Sequence, residues 1–310
     1  MTDTKSVSPR PHVYGSVSAV RLEGVGHFDV SKVFDCGQSF RFERVTDSPH
    51  SAEFAGCAFG KYISVACDED SVYIYNTDVE EYKRIWKRYL GLDLDYDEIN
   101  RSILSLTENQ ALRDAVSKAD GIRILRQEAW ETVCSFIISQ NNNIPRIKKL
   151  IFSLCLACGD PIDVSLMEGH IATAHKESGG HFYSFPTPEK VLDLGVRGLT
   201  ELKMGFRAKY LIDAAQKMLD GTVNPAFLES SDTACGIQHL SAIKGVGPKV
   251  ASCALLFGFG KLDAFPVDVW IRKAIAKYFD PDFDPANLGE YAGIAQQYLF
   301  YYERYLQQNQ

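Results

Sequence analysis

Lys249 and Asp268 are the residues whose types and spacing could do chemistry together. Lys249 stands in the run Leu240-Ser241-Ala242-Ile243-Lys244-Gly245-Val246-Gly247-Pro248-Lys249-Val250-Ala251-Ser252-Cys253. Gly245 and Gly247 permit positive φ and close backbone approach, and Pro248 suits the first position of a helix, where a missing N–H costs nothing. The run therefore predicts a tight turn opening a helix from 249 to about 259. The unpaired N–H groups and the positive dipole at such a start suit an anion, with Gly245, Gly247 and Val250 as the donors. Lys249 falls in the first turn, where the dipole opposes an ammonium charge, and an unprotonated primary amine is a nucleophile. Asp268 follows 19 residues later, ahead of Trp270, Ile271, Ala274, Ile275 and Tyr278 at helical spacing, and reads as an N-cap. The helix runs roughly 15 Å away from the turn. Residues 260 to 267, if extended, span roughly 26 Å, enough to bring the carboxylate back to the amine.

Other residues group by spacing. Cys253 follows Lys249 by four, and Gln296 and Phe300 are four apart on a final apolar helix, so each pair shares one helix face. Two such helices could close around a planar group, although plain core packing would also account for Cys253 and Phe300. A helix over roughly Glu128 to Gln140 ends at Asn141, Asn142 and Asn143. In the next, Ile144, Ile147, Ile151, Leu154 and Cys158 form an apolar face opposite Arg146, Lys148 and Lys149. Phe206 to Leu219 forms further helical turns closed by Gly221, and taken alone Arg146 and Arg207 read as solvated residues at helix ends. Cys155-Leu156-Ala157-Cys158 lacks a second pair or a nearby histidine and reads as structural. His170, His175 and His181 lie in an irregular insert over 159 to 187; spacings of five and six fit no helical face and predict a solvated loop, not a metal site.

The elements that must position these residues are of two kinds. Residues 12 to about 77 alternate polar and apolar side chains over short runs separated by Gly, Asp, Ser and Pro, which predicts an antiparallel sheet with one wet face. After Asp78 the period becomes helical, with Tyr82, Ile85, Trp86 and Tyr89 in register, and it stays so nearly to the end. The fold class is therefore α+β: an antiparallel sheet domain with flanking helices over 1–117, then helical subdomains over 118–310 with a hairpin of helices at about 232–260. The chain of 310 residues, 45 % hydrophobic and 24 % charged, carries a net charge of −7, with −6 of it before residue 118. That composition excludes disorder, and the longest apolar stretch is about half of a membrane span. Eight cysteines scattered through apolar segments suit buried thiols in a reducing compartment. An acidic chain can still hold DNA when backbone N–H groups make the phosphate contacts, and salt dependence is then modest.

The run Gly245-Val246-Gly247-Pro248-Lys249-Val250-Ala251 resembles the helix-hairpin-helix of DNA glycosylases. Further motifs occur in family order: Cys36-Gly37-Gln38-Ser39-Phe40-Arg41, Leu125-Arg126-Gln127, Asn141-Asn142-Asn143-Ile144-Pro145-Arg146, Gly205-Phe206-Arg207-Ala208-Lys209-Tyr210, Pro266-Val267-Asp268 and Tyr291-Ala292-Gly293-Ile294-Ala295-Gln296. With them the chain resembles the 8-oxoguanine DNA glycosylases with lyase activity over nearly its full length.

The resemblance implies that Lys249 attacks C1′ of the damaged nucleotide, expels the base and holds the sugar as a Schiff base, after which β-elimination nicks the strand, without a metal or organic cofactor. It implies that Asp268 stabilises positive charge on the sugar and helps orient the amine. The damaged base must leave the stack. Cys253 and Phe300 would sandwich it, Gln296 would meet its Watson–Crick edge, and the Gly37 carbonyl would accept the N7–H that separates 8-oxoguanine from guanine. Asn141, Arg146, Arg207 and the wedge Phe206 match residues that enter the duplex and read the orphaned cytosine, for which arginine forks suit better than lysine. The chain departs from the family pattern at Trp270, where many members carry a phosphate-contacting histidine, at Phe206, often tyrosine, and at Lys244, usually proline. The implied partner is duplex DNA containing 8-oxoguanine, bound by a monomer away from membranes, in the nucleoid-associated cytoplasm of a bacterium or the nucleus of a eukaryote. Two rivals stand beside this reading: a glycosylase of the same superfamily for another damaged base, and a non-catalytic DNA-binding scaffold. Against them, no cysteine follows Cys253 at iron–sulfur spacing, and both Lys249 and Asp268 are present.

Overall fold

A computed structural model describes residues 8–177 and 181–306; residues 178–180 of the insert and the extreme N-terminus lie outside the described residues. Six strands form one antiparallel sheet: β1 (Arg10–Tyr14), β2 (Val17–Glu23), β3 (Phe42–Arg44), β4 (Ala52–Ala58), β5 (Lys61–Cys67) and β6 (Ser71–Tyr75). Their spatial order is β1-β2-β6-β5-β4-β3. The period of two sends Val20, Leu22, Phe54, Ile63, Val65, Val72 and Ile74 to one face, where Val33, Phe34, Tyr82, Trp86 and Tyr89 cover them.

The other face is not wet. Val17, Ala19, Ala55, Cys57, Tyr62, Ala66, Tyr73 and Tyr75 pack against Met167, Ile171, Ala172 and Phe182 of the insert. The expectation of a solvated histidine loop is corrected with it. His170 is 2 % exposed, its Nδ1 lies 2.7 Å from Glu53 Oε1 on β4, and its ring stacks on Tyr75 at 4.2 Å. His175 is half-buried, edge-on to Tyr62 and Phe182, and only His181 is exposed. The insert has no period because its apolar residues meet a sheet face from short irregular turns. The tyrosines of β5 and β6, Tyr62, Tyr73 and Tyr75, belong to this core.

The helical part is built on Ala129–Ser139, Ile144–Cys158, Arg207–Leu219, Thr233–Leu240, Pro248–Gly258, Val269–Tyr278 and Ala292–Tyr301. Helix Pro248–Gly258 is buried along nearly its whole length against Ala129–Ser139 and Thr233–Leu240. Helices Tyr96–Ser105 and Gln110–Lys118 pack into the same core, which also takes in Cys36 and Phe40 from the sheet side. The expected Gly221 closes helix Arg207–Leu219 with φ +79°, while Asp95 caps the helix Tyr96–Ser105 by accepting the Glu98 N–H and Asn143 caps Ile144–Cys158 by accepting that of Arg146. All eight cysteines are free thiols, and Cys155 sits in the core, its thiol pushed up to about 12 by burial. Among the described residues no helix is long and apolar enough to cross a membrane.

His175 makes the docking of the insert depend on pH. Burial, with help from the Lys148 and Arg41 charges, lowers its pKa from 6.5 to about 4. Above pH 6.5 the ring is neutral whether the chain is folded or not. Below it the unfolded chain takes up a proton that the folded ring refuses until about pH 4, so stability falls through that window. Thermal midpoints measured from pH 7 to pH 4 should fall for the parent and fall less for His175→Phe; identical slopes would contradict the assignment.

Candidate active site

The segment Cys36-Gly37-Gln38 forms the wall that the sheet side contributes. Gln38 is buried and fully paired: its Nε2 donates to the Val33 and Arg123 carbonyls at 2.9 and 2.8 Å, and its Oε1 accepts the Leu125 N–H at 2.9 Å. Gln127 Nε2 donates to the Gln38 carbonyl at 2.7 Å, and the Gln127 N–H donates to the Phe257 carbonyl at 2.8 Å. These bonds explain the Leu125-Arg126-Gln127 motif, which clips the wall to helix Pro248–Gly258. Gly37 has φ +80°, and a Cβ there would sit 3.5 to 3.6 Å from Ile144 and the Phe300 ring. From the opposite side Gln297 Nε2 donates to the Cys36 carbonyl at 2.9 Å.

One cleft is lined by Gly37, Lys249, Cys253, Asp268, Gln296 and Phe300, the six residues predicted for the amine, the carboxylate and the base pocket. Lys249 is half-buried in the first turn after Gly247 and Pro248, and its Nζ lies 5.5 Å from the centre of the Phe136 ring. Asp268 caps helix Val269–Tyr278, Oδ1 accepting the Ile271 N–H at 2.8 Å. The cap fixes the Asp268 side chain, which lines the cleft. Chain reversal through Gly260 and docking of Gly293 N–H on the Leu262 carbonyl at 2.7 Å return Asp268 and bring up the last helix together. Burial raises the Cys253 thiol above its ordinary value against the opposing effect of Lys249, so it faces the cleft as a neutral group. Gln296 is 4 % exposed and its Oε1 has no hydrogen-bond partner. A buried amide oxygen left so costs about 1–3 kcal/mol, which a ligand donor would recover.

A second group surrounds the three asparagines, each with its own task. Asn141 has φ +51° and is exposed, Asn142 Nδ2 donates to the Ile138 carbonyl at 2.8 Å, and Asn143 caps the next helix. Arg207 is 5 % exposed: Nε donates to the Gln140 carbonyl at 2.8 Å, Nη2 to Gln140 and Asn141, and the guanidinium lies 4.5 Å over the Phe206 ring. Burial, with the Arg146 charge adding to it, lowers the Arg207 pKa. Arg207 thus holds the asparagine loop from behind, and is not the solvated residue its position suggests, whereas Arg146 is exposed. Phe206 projects 47 % exposed and edge-on to Tyr210.

The turn Gly245 to Val250 completes the site. Gly245 has φ +77°, and a Cβ on it would overlap the Tyr210 ring, while Gly247 has φ −100° and nothing within 4 Å. Trp270 is half-exposed with the Lys273 ammonium 5.1 Å over its ring, and the Lys244 side chain is exposed. Sequence reasoning missed Phe136, which looks like core in an apolar helix, and Gln297. The signal for Gln297 is present, since two adjacent glutamines interrupt an otherwise apolar helix. Among the described residues no group of three or more His, Cys, Asp or Glu is arranged to hold a metal ion.

Comparison with known proteins agrees in both halves. The N-terminal domain model of 8-oxoguanine DNA glycosylase matches residues 22–133, and the model of HhH-GPD superfamily base excision DNA repair proteins matches residues 134–286. The N-glycosylase/DNA lyase of Saccharomyces cerevisiae is 38 % identical over 168 residues, 51 % of this chain and 41 % of that one. The corresponding Arabidopsis thaliana protein is 32 % identical over 203 residues, 58 % of this chain and 51 % of that one. The chain thus spans about half or less of the length of these curated relatives. The Clostridium acetobutylicum 8-oxoguanine glycosylase/lyase, solved with double-stranded DNA containing cytosine opposite 8-oxoguanine, superposes with a TM-score of 0.83 at 34 % identity, covering 98 % of this chain and 99 % of that one. With two domain models in sequence and a solved relative matched from end to end, the chain belongs to the 8-oxoguanine DNA glycosylase family of the helix-hairpin-helix superfamily.

Proposed function

We propose that this protein removes 8-oxoguanine from duplex DNA and cuts the strand at the resulting site, acting as a monomer. The observation that carries the reading is the convergence of an amine, a carboxylate and a buried, unpartnered amide oxygen in one cleft. The extruded base enters between Cys253 and Phe300, and its edge donors meet Gln296 Oε1. The Gly37 carbonyl, fixed by the bonds around Gln38, accepts the N7–H. Guanine has no hydrogen at N7 and would leave that carbonyl opposed to a lone pair, so the discrimination rests on a repulsion as well as on a bond.

The Lys249 Nζ lone pair forms a bond to C1′ as the glycosidic bond breaks, its electron pair leaving with the purine, which takes a proton. Asp268 stabilises the positive charge that develops on the sugar, and its cap means that no reorganisation is needed at that moment. Loss of a proton from nitrogen and opening of the sugar ring give the imine. A base then removes a C2′ proton, the C3′–O bond breaks with its pair on the departing phosphate, and water releases the sugar fragment from the lysine. Backbone N–H groups of Gly247 and Val250 at the helix start hold a phosphate of the damaged strand. Phe206 and Asn141 fill the gap left by the extruded base, and Arg146 reads the cytosine with Arg207 beside it, which keeps its hold on the Gln140 and Asn141 carbonyls.

Lys249→Gln should lower single-turnover base release by roughly 10⁴-fold or more while lesion binding persists, because the nucleophile acts as part of a unit. Base release near the parental rate would remove the amine from the mechanism. Arg146→Ala and Arg207→Ala should each reduce the preference for cytosine opposite the lesion by about tenfold, within the 1–3 kcal/mol of a good bidentate base contact. Arg207→Ala should also lower the thermal midpoint, since it strands two loop carbonyls. Unchanged opposite-base ratios in the double variant would contradict the assignment. Gly247→Ala should keep the parental thermal midpoint yet weaken DNA binding, because its Cβ points where the phosphate would lie. Gly245→Ala should cost about 2 kcal/mol of stability through its φ and the Tyr210 overlap. Parental DNA affinity in Gly247→Ala would move the phosphate elsewhere.

A further inference from the structure

The turn between helices Thr233–Leu240 and Pro248–Gly258 closes with the Val246 N–H on the Ile243 carbonyl at 3.0 Å, with Gly245 at φ +77° in its third position. Positive φ there marks a type II turn, whose second position favours proline, because proline pre-sets φ and has no N–H to satisfy. Here the second position is Lys244, which keeps its N–H, and that N–H donates to Asp213 Oδ2 at 2.7 Å. The same carboxylate oxygen accepts from Lys217 Nζ at 2.8 Å, and Lys217 also donates to the Ala242 carbonyl at the start of the turn. Tyr210 lies against Gly245 on the same side. Tyr210, Asp213 and Lys217 recur at three and four residues, so one face of helix Arg207–Leu219 is fastened along the turn. The first residue of that helix, Arg207, grips the Gln140 and Asn141 carbonyls. One helix therefore joins the turn that would hold the phosphate to the loop that would enter the duplex.

We propose that Asp213 is a positioning residue for DNA binding: by accepting the Lys244 N–H it replaces the rigidity a proline would supply, and through helix Arg207–Leu219 it sets the turn's place relative to the asparagine loop. Burial would raise the Asp213 carboxyl, but Lys217 and the Lys244 N–H outweigh it and hold the pKa below its ordinary value, so the acceptor stays ionised at neutral pH. The proposal rests on the reading of the turn as a phosphate site.

The test is a cycle of Asp213→Ala, Lys244→Pro and the double variant, with Asp213→Asn as the conservative exchange. Affinity for a duplex carrying a tetrahydrofuran abasic analogue is read by fluorescence anisotropy, and base release is read under single-turnover conditions at saturating enzyme. Asp213→Ala should weaken affinity by about tenfold, the scale of one charge-assisted hydrogen bond, with the saturated rate falling less than twofold. Asp213→Asn, which keeps an acceptor oxygen, should recover most of the affinity. In the Lys244→Pro background, where no N–H awaits a partner, Asp213→Ala should change affinity less than twofold. An equal loss in both backgrounds, or no loss in the parent, would overturn the proposal. If Asp213→Ala does not fold, the same comparison is made with Asp213→Leu, which keeps side-chain volume but removes the acceptor, and whose loss must then vanish in the proline background. Gly247→Ala in the same assay separates the two claims: if it binds as the parent does, the phosphate reading fails, whereas failure of the Asp213 cycle alone leaves that reading intact.

Discussion

The hydrogen bonds that fix Cys36-Gly37-Gln38 carry the site, because through this segment the sheet half of the chain forms a wall of the cleft that holds the amine. Gln38 supplies two donors and an acceptor, all of them used, and Gln127 and Gln297 tie the flanking carbonyls. Gln38 and Gln297 are buried and Gln127 half-buried, so loosening the segment would strand polar atoms at about 1–3 kcal/mol for each buried one. A wall held in this way keeps the Gly37 carbonyl aimed. Selection by one backbone oxygen works only if that oxygen cannot move to accommodate the wrong base.

The two glutamines of the last helix show how structure and recognition share one surface. Gln297 is spent on the Cys36 carbonyl, while Gln296, one residue before it, keeps an oxygen with no partner. A satisfied network rigidifies, whereas an unsatisfied buried acceptor is an energetic debt that a matching ligand settles. Asp268 combines the two roles in one side chain, as a helix cap and as a residue lining the cleft. Lys249 likewise sits where the turn, the helix start and the Phe136 ring converge.

Much of this was legible in the sequence because it follows from local rules. The glycines and proline before Lys249, the cap at Asp268 and the four-residue spacings of Lys249 with Cys253 and Gln296 with Phe300 each specify a local geometry. Alternation over residues 12 to about 77 marked the strands. What could not be read depends on contacts far apart in the chain. His170 meets Glu53 and Tyr75 through an insert with no period of its own, which is why the second sheet face passed for a wet one. Arg207 looks like any arginine at a helix start until the loop carbonyls it grips are known. Phe136 is one apolar residue among many, and nothing short of the fold places it under the amine.

The central claim is that the Lys249 amine forms a covalent bond to the sugar of the damaged nucleotide. Borohydride trapping on a duplex with 8-oxoguanine opposite cytosine, followed by peptide mapping of the adduct, tests it directly. The account predicts one reduced protein–DNA adduct, on the peptide that contains Lys249. An adduct on another lysine, or base release with no trapped species, would contradict it.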